Sequence, residues 1–175
     1  MEKSYKQYLA EIRMFIFDVD GVLTNGLVTI MPNGELIRQM NIKDGYALKT
    51  AIDMGFHICI ISGGKNEGVR MRLKNLGIKD IFLGAQNKIQ PYQELLEHYN
   101  IPPKQILYMG DDLPDLPVMK LVGLPCCPND AASEVQRTAK YISDRKGGDG
   151  CVRDIIEQVL RVQGKWNKNF DASDD

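Results

Sequence analysis

Met14-Phe15-Ile16-Phe17-Asp18-Val19-Asp20-Gly21-Val22-Leu23-Thr24 decides the reading of this chain. The four apolar residues at its start read as a strand, and the strand ends abruptly at Asp18. Two carboxylates spaced by one residue then face a glycine turn. The question for the rest of the sequence is whether other strands end in the same way.

They do. His57-Ile58-Cys59-Ile60-Ile61 is a second buried strand and runs into Ser62-Gly63-Gly64. Ile81-Phe82-Leu83 is a third, followed by a helix with Lys88 at its start. Gln105–Met109 is a fourth and ends in Gly110-Asp111-Asp112, with Asp115 shortly after. Leu124–Cys127 is a short fifth. Between them lie helical patterns. One begins near Asp44, read as its N-cap, and stops at Gly55. Another carries Val69, Leu73 and Leu76 before Gly77, and a third has Leu95 and Leu96 near its end. The last places Val152, Ile155, Ile156, Val159 and Leu160 on one face. Strand–helix alternation predicts an α/β fold: a doubly wound, Rossmann-like parallel sheet with helices on both faces. Residues 27–40 interrupt the alternation, because two extended runs flank Pro32-Asn33-Gly34 and predict a β-hairpin.

The 175 residues show no internal repeat or linker, so one domain over 1–175 is expected, with a loose polar tail from about 165. Twenty-two basic residues against 23 acidic ones give a net charge of −1, which offers no general attraction to nucleic acid or membrane. No apolar run is long enough to span a bilayer, and residues 1–11 carry no apolar signal-like segment. The four cysteines, Cys59, Cys126, Cys127 and Cys151, lack zinc-ligand spacing and are expected reduced, as in a cytoplasmic enzyme.

In an open parallel sheet, ligands bind at the carboxyl ends of the strands. The expected rim therefore holds Asp18, Asp20, Ser62, Lys88, Asp111, Asp112 and Asp115. Several carboxylates at one point repel one another and call for a cation. Hard oxygen donors favour Mg²⁺, which takes one or two carboxylates plus substrate phosphate. Asp18 then serves as a nucleophile forming an aspartyl-phosphate. Asp20 protonates the leaving alkoxide and later activates water. Ser62 and Lys88 hold the phosphoryl oxygens. Taken singly, each motif also reads as a polar turn or a solvated charge. Their joint placement at strand ends and helix starts favours chemistry.

These residues resemble the four motifs of the haloacid dehalogenase superfamily of phosphohydrolases: Phe17–Thr24, Ser62, Lys88, and Gly-Asp-Asp-x-x-Asp at 110–115. The resemblance implies a magnesium site made by the side chains of Asp18 and Asp111 and the backbone carbonyl of Asp20, with Asp112 and Asp115 orienting the ligands and Lys88. A finer resemblance runs along nearly the whole chain, to the capless, tetrameric branch that hydrolyses 3-deoxy-D-manno-octulosonate 8-phosphate in lipopolysaccharide precursor synthesis. It is carried by Asp-Gly-Val-Leu-Thr-Asn-Gly (20–26), the hairpin, Asn-Ile-Lys-Asp-Gly-Tyr (41–46), Leu-Gly-Ile (76–78), Gly-Asp-Asp-Leu-Pro-Asp (110–115) and Gly-Gly-x-Gly-x-Val-Arg (147–153).

That resemblance implies sugar acid contacts from Asn41, Ile42, Lys43, Asp44 and Gly45, from Lys49 and Arg72, and from the loop holding Gly63 and Gly64. On the residues alone, Lys49 and Arg72 read equally as a solvated helix face. Gly64 departs from the family pattern, which has an arginine there in proteobacterial enzymes, and Lys65 is a candidate substitute. The resemblance also implies a homotetramer in which the hairpin lies over a neighbour's site.

Spacing agrees with the absence of a cap domain: Asp20 to Ser62 holds only a hairpin and a helix, and Ser62 to Lys88 only a helix and a strand. Leu27, Ile30, Met31, Leu36 and Ile37 of the hairpin are the candidate contact surface, and Gly147–Gly150 is either a mobile gate or a simple connection. The alternatives are a phosphatase for nine-carbon ketosugar acid 9-phosphates, a receiver-type phosphoacceptor, and a non-catalytic binding protein. A receiver keeps its phosphorylated aspartate after the third strand, where this chain has Gly84-Ala85.

Overall fold

In the structure, a computed structural model that describes residues 4–166, the opening run forms strand β1 (Met14–Phe17). A short helix α1 (Tyr5–Leu9) precedes it. The chain continues through hairpin strands β2 (Thr29–Ile30) and β3 (Leu36–Ile37), α2 (Ile42–Asp53), β4 (His57–Ser62), α3 (Glu67–Asn75), β5 (Asp80–Leu83) and α4 (Ile89–Tyr99). Then come β6 (Ile106–Met109), α5 (Leu116–Met119), β7 (Leu124–Cys127), α6 (Ser133–Thr138), β8 (Tyr141–Ile142) and α7 (Cys151–Val162).

Six strands form one sheet in the order β5-β4-β1-β6-β7-β8, every neighbouring pair parallel. This is the expected doubly wound α/β architecture. Its consequence for function lies in the order. The chain builds outward from β1 in one direction through β4 and β5, then returns to the other side of β1 for β6, β7 and β8. The loops after β1 and β6 therefore diverge, and a crevice opens at the carboxyl end of β1. Asp18 is the first residue beyond that end.

Both faces of the sheet are covered, so its central strands are apolar on both sides. Phe15 and Phe17 point into one cluster with Leu48, Leu73, Ile155, Ile156 and Val159 of the flanking helices. Met14 and Ile16 point into the other with Tyr92, Leu95, Val118 and Val135. The alternation along β1 has the two-residue period of a strand, although its sequence shows no polar alternation. All four cysteines are buried and unpaired.

The structure corrects several details. Helix α2 is capped by Asn41, whose side-chain oxygen accepts the Lys43 amide at 2.9 Å. Asp44 is instead buried in the first turn and accepts the Arg153 amide at 2.8 Å, tying α2 to α7. The fourth expected strand begins at Ile106, because residues 103–105 form a 3₁₀ turn. Gly147–Gly150 is not free to swing. The Gly148 amide bonds the Val22 carbonyl at 2.9 Å, and a Cβ at Gly147 would lie 2.0 Å from the Gly21 carbonyl oxygen. It is a pinned connection from β8 to α7.

The hairpin is as exposed as expected. Leu27 and Ile30 are 72% and 73% accessible. The loose tail expected from 165 lies, beyond residue 166, outside the described residues. Trp166 itself packs edge-on against Tyr46, with Arg153 over its ring. Among the described residues no helix is long and apolar enough to cross a membrane.

Candidate active site

Three strand ends and one helix start meet at the crevice. β1 delivers Asp18 and Asp20, β4 delivers Ser62, Gly63 and Gly64, and β6 delivers Asp111, Asp112 and Asp115. Lys88 stands at the N-terminal edge of α4. Together with Gly26, Ala85, Gln86 and Pro114 they line a cleft of about 410 Å³. A larger groove, about 760 Å³, runs between the start of α2 and α7. It holds no comparable convergence of strand-end groups, so the smaller cleft is the reactive one.

At its base the geometry is tight. Lys88 Nζ donates to Asp18 Oδ2 at 2.7 Å and to Asp115 Oδ1 at 2.6 Å. The other Asp18 oxygen accepts the Val19 amide at 2.6 Å. Asp115 is fully engaged: Tyr108 also donates to its Oδ1 at 2.5 Å, and its Oδ2 accepts the amides of Asp111 and Asp112. Asp112 is exposed and caps the turn at Leu113. Asp115 thus holds Lys88 in place, and Lys88 in turn fixes one Asp18 oxygen. Ser62 is buried, and its Oγ accepts the Gly64 amide at 3.3 Å.

Oxygens of Asp18, Asp111 and Asp115 all lie within 4.8 Å of one another. With Asp115 saturated by hydrogen bonds, Asp18 and Asp111 are the two with capacity for a cation. Their electrostatics agree. Burial, with the Asp115 charge adding to it, pushes Asp18 up to about 6 despite the opposing Lys88 ammonium. Burial, then the charges of Asp18, Asp115 and Asp112, push Asp111 up to about 7. Carboxylates that resist ionisation because they face one another are what a hard divalent cation relieves. The approach is enforced at Gly21, whose φ of +82° is a glycine conformation and whose Cβ, if present, would lie 1.9 Å from Asp111 Oδ2. Lys88 is raised: burial pulls it down, but Asp18 and Asp115 outweigh that, so it stays an ammonium.

Asp20 makes a contact that sequence reasoning missed. Arg38, just beyond β3, donates from Nε to Asp20 Oδ1 at 2.6 Å and from Nη2 to Oδ2 at 3.1 Å. Tyr108 was missed as well. Its strand position signals burial but not which carboxylate its hydroxyl would meet.

Of the expected sugar contacts, only Asp20, Gly63, Gly64 and Lys88 line the cleft. Asn41, Ile42 and Lys43 line the larger groove. Asp44 is buried against α7, held up at about 6 by that burial, with its Oδ2 lacking a hydrogen bond. Gly45 is buried under Arg72, whose Nη2 lies 2.8 Å from where a Cβ would be. Arg72 borders a separate surface with the hairpin, and Lys49 faces Asp53 on α2 at 3.9 Å. Lys65 lies along Gly84 and does not take the place left open at Gly64.

Comparison with known proteins agrees with this geometry. The profile of the haloacid dehalogenase-like hydrolases matches residues 80–155. The 3-deoxy-D-manno-octulosonate 8-phosphate phosphatase KdsC of Salmonella typhi is 40% identical over 157 residues, covering 90% of this chain and 84% of that protein. The crystal structure of the phosphatase of that name from Yersinia pestis superposes with a TM-score of 0.92 at 35% identity, covering 96% of this chain and 91% of that one. The Moraxella catarrhalis phosphatase, solved in complex with magnesium ion, phosphate ion and KDO, gives a TM-score of 0.89 at 29% identity, covering 93% and 94%.

Proposed function

The chain belongs to the 3-deoxy-D-manno-octulosonate 8-phosphate phosphatase family of haloacid dehalogenase-like hydrolases, and from that premise we propose that it hydrolyses this sugar acid phosphate to KDO and inorganic phosphate, with Mg²⁺ as cofactor. The observation that carries the reading is Asp18 at the switch point of the sheet, fixed by Lys88 through one oxygen and facing Asp111.

Asp18 and Asp111, with the main-chain carbonyl of Asp20, form the cation site. When bound, Mg²⁺ neutralises the charge of both the phosphate and the attacking carboxylate. Asp18 attacks phosphorus, and the freed alkoxide is protonated by Asp20, which lines the same cleft. Lys88 and Ser62 hold the phosphoryl oxygens. Water then hydrolyses the aspartyl-phosphate, with Asp20 accepting the proton. Asp112 and Asp115 act by orienting the Asp111 loop and Lys88. The whole chain works as one hydrolase domain.

The expected cation dependence has a definite pH sign. Chelation with EDTA abolishes turnover and Mg²⁺ restores it. Asp18 and Asp111 sit above the ordinary carboxylate value, so the stability they contribute is full below about pH 4 and is lost as pH rises through 6 to 7. A cation that binds their ionised forms offsets that loss. Thermal denaturation should therefore show a larger Mg²⁺-induced rise in Tm at pH 8 than at pH 5. An equal rise at both would remove Asp18 and Asp111 as its ligands.

Substrate choice is tested by kcat/KM for the eight-carbon sugar acid phosphate, nine-carbon ketosugar acid 9-phosphates and simple phosphate esters. The eight-carbon substrate should lead by about tenfold or more, a margin that a few pocket contacts supply. Preference for the nine-carbon acids would move the chain to that specificity. The hairpin's exposed Leu27, Ile30 and Ile37 support a homotetramer in which a neighbour helps close the cleft; an active monomer in sedimentation would refute it. The reduced, buried cysteines support work in the cytoplasm.

A further inference from the structure

The carboxylates that give the cleft its chemistry also repel the substrate proposed for it. Asp18, Asp20, Asp111, Asp112 and Asp115 line the cleft, and a sugar acid phosphate brings two anionic groups of its own. Mg²⁺, Lys88 and Ser62 answer the phosphate. Nothing in the reaction as described answers the carboxylate, and like charges brought together unpaired are costly. Two cations at the site are already committed. Lys88 serves Asp18 and Asp115, and Arg38 serves both oxygens of Asp20.

Lys65 is different. It directly follows Gly63 and Gly64 of the cleft wall. It is exposed, and among the described residues its ammonium has no carboxylate partner. Its stem is nonetheless placed. Cε passes 2.5 Å from where a Cβ of Gly84 would stand, with Cγ at 2.9 Å and Cδ at 3.2 Å. Gly84 has a φ of +75°, which by itself calls for glycine; the lysine stem laid against it is a second reason. Two backbone bonds hold the loops after β4 and β5 together. The Gly84 amide donates to the Gly64 carbonyl and the Ala85 amide to the Ser62 carbonyl, both at 3.0 Å. Ala85 and Gln86, next along the chain, are cleft wall again. Lys65 thus crosses the seam between two loops that bound the cleft, with its apolar stem on glycine and its charged head in water. A stem already laid on a fixed surface loses less freedom when its head takes a ligand.

We propose that Lys65 is a specificity-determining residue: its ammonium meets the carboxylate of a sugar acid phosphate whose phosphate lies at Asp18. The inference rests on the phosphatase reading above and adds to it the residue that distinguishes an acid from a neutral sugar.

The test compares the full chain with Lys65→Gln on two substrates, the eight-carbon sugar acid phosphate and a neutral-sugar phosphate without a carboxylate. The ratio of their kcat/KM values should fall about tenfold in the variant, the low end for a charge-assisted bond, because the rim is open to water. The loss should lie in KM with kcat kept, since the carboxylate is held alike before and during phosphoryl transfer. Lys65→Arg keeps the charge and should retain most of the ratio. Gly84→Ala, which pushes the stem aside, should lower it. Raising the salt concentration should shrink the ratio in the unsubstituted protein and leave it nearly level in Lys65→Gln. Where the neutral substrate is too slow to follow, inhibition by the free sugar acid gives the same reading, with Ki about tenfold higher in Lys65→Gln.

An unchanged ratio, or an unchanged Ki, in a folded Lys65→Gln overturns the proposal. So does an equal loss on both substrates, which would make Lys65 a phosphate contact or a support of its loop. If the unsubstituted protein shows no preference for the acid, the proposal falls together with the choice of substrate, while the phosphatase reading stands. If it hydrolyses neither ester, it is the phosphatase reading that fails.

Discussion

Asp18→Asn should reduce turnover by about 10⁴-fold or more, the scale on which loss of a covalent nucleophile is felt. The amide keeps the shape of the side chain and can still accept from Lys88, but it cannot form the aspartyl-phosphate. Folding should survive. Lys88 retains Asp115 as a partner at 2.6 Å, and the substitution removes a carboxylate whose burial already disfavours its charge. The Tm in EDTA should therefore not fall, while the Mg²⁺-induced rise shrinks because a charged ligand is gone. Circular dichroism and phosphate release measure the two halves of this prediction. Substantial remaining turnover would mean another residue attacks phosphorus.

Lys88→Met should damage both stability and activity. The ammonium is buried and lies between Asp18 and Asp115, at 2.7 and 2.6 Å. Its replacement leaves two carboxylates facing each other out of water. Removing one partner of a buried charge network typically costs about 3–5 kcal/mol, and urea unfolding in EDTA near pH 7.5 should show a loss of that order. The loss should be smaller at pH 5, since Asp18, already held up at about 6, then takes up a proton instead of remaining an unpaired charge. Turnover should be lost even where the protein stays folded, because nothing then fixes Asp18 or balances the phosphoryl oxygens. A loss below about 1 kcal/mol, the scale of an exposed pair, would show that Lys88 is not the charge on which this cluster depends.

What the sequence reveals here follows from which forces are local. Met14–Phe17 and His57–Ser62 are uninterrupted apolar runs that stop at polar residues. In a parallel sheet that places Asp18 and Ser62 on one rim without further information. Lys88 and Asp111 are legible for the same reason, since each directly follows a strand or opens a helix. The elements that escaped notice lack such a signal. β8 has two residues and owes its pairing to β7, and α1 has five with only Leu9 buried. Asp44 reads as a helix cap, but Asn41 lies where the chain enters the helix, and Asp44 finds the amide of Arg153, 109 residues away.

Arg38 is the clearest case of what remains hidden. It is an ordinary basic residue after an exposed strand. Its meeting with Asp20 depends on how the hairpin folds back, and only the space at Gly64 hints that something fills the site. The sugar contacts escape for a related reason. Asn41, Ile42 and Lys43 line a groove of their own, so a motif match does not by itself place them at the cleft that holds Asp18.

Phosphate that passes through Asp18 leaves a covalent mark on it. Acid quenching during Mg²⁺-dependent turnover, followed by proteolysis and mass spectrometry, detects that mark. The expected result is a phosphoryl group on the peptide containing Asp18, at that residue, present only with substrate and absent from Asp18→Asn. Turnover with no phosphorylated peptide, or with the group on Ser62 or another residue, would contradict it.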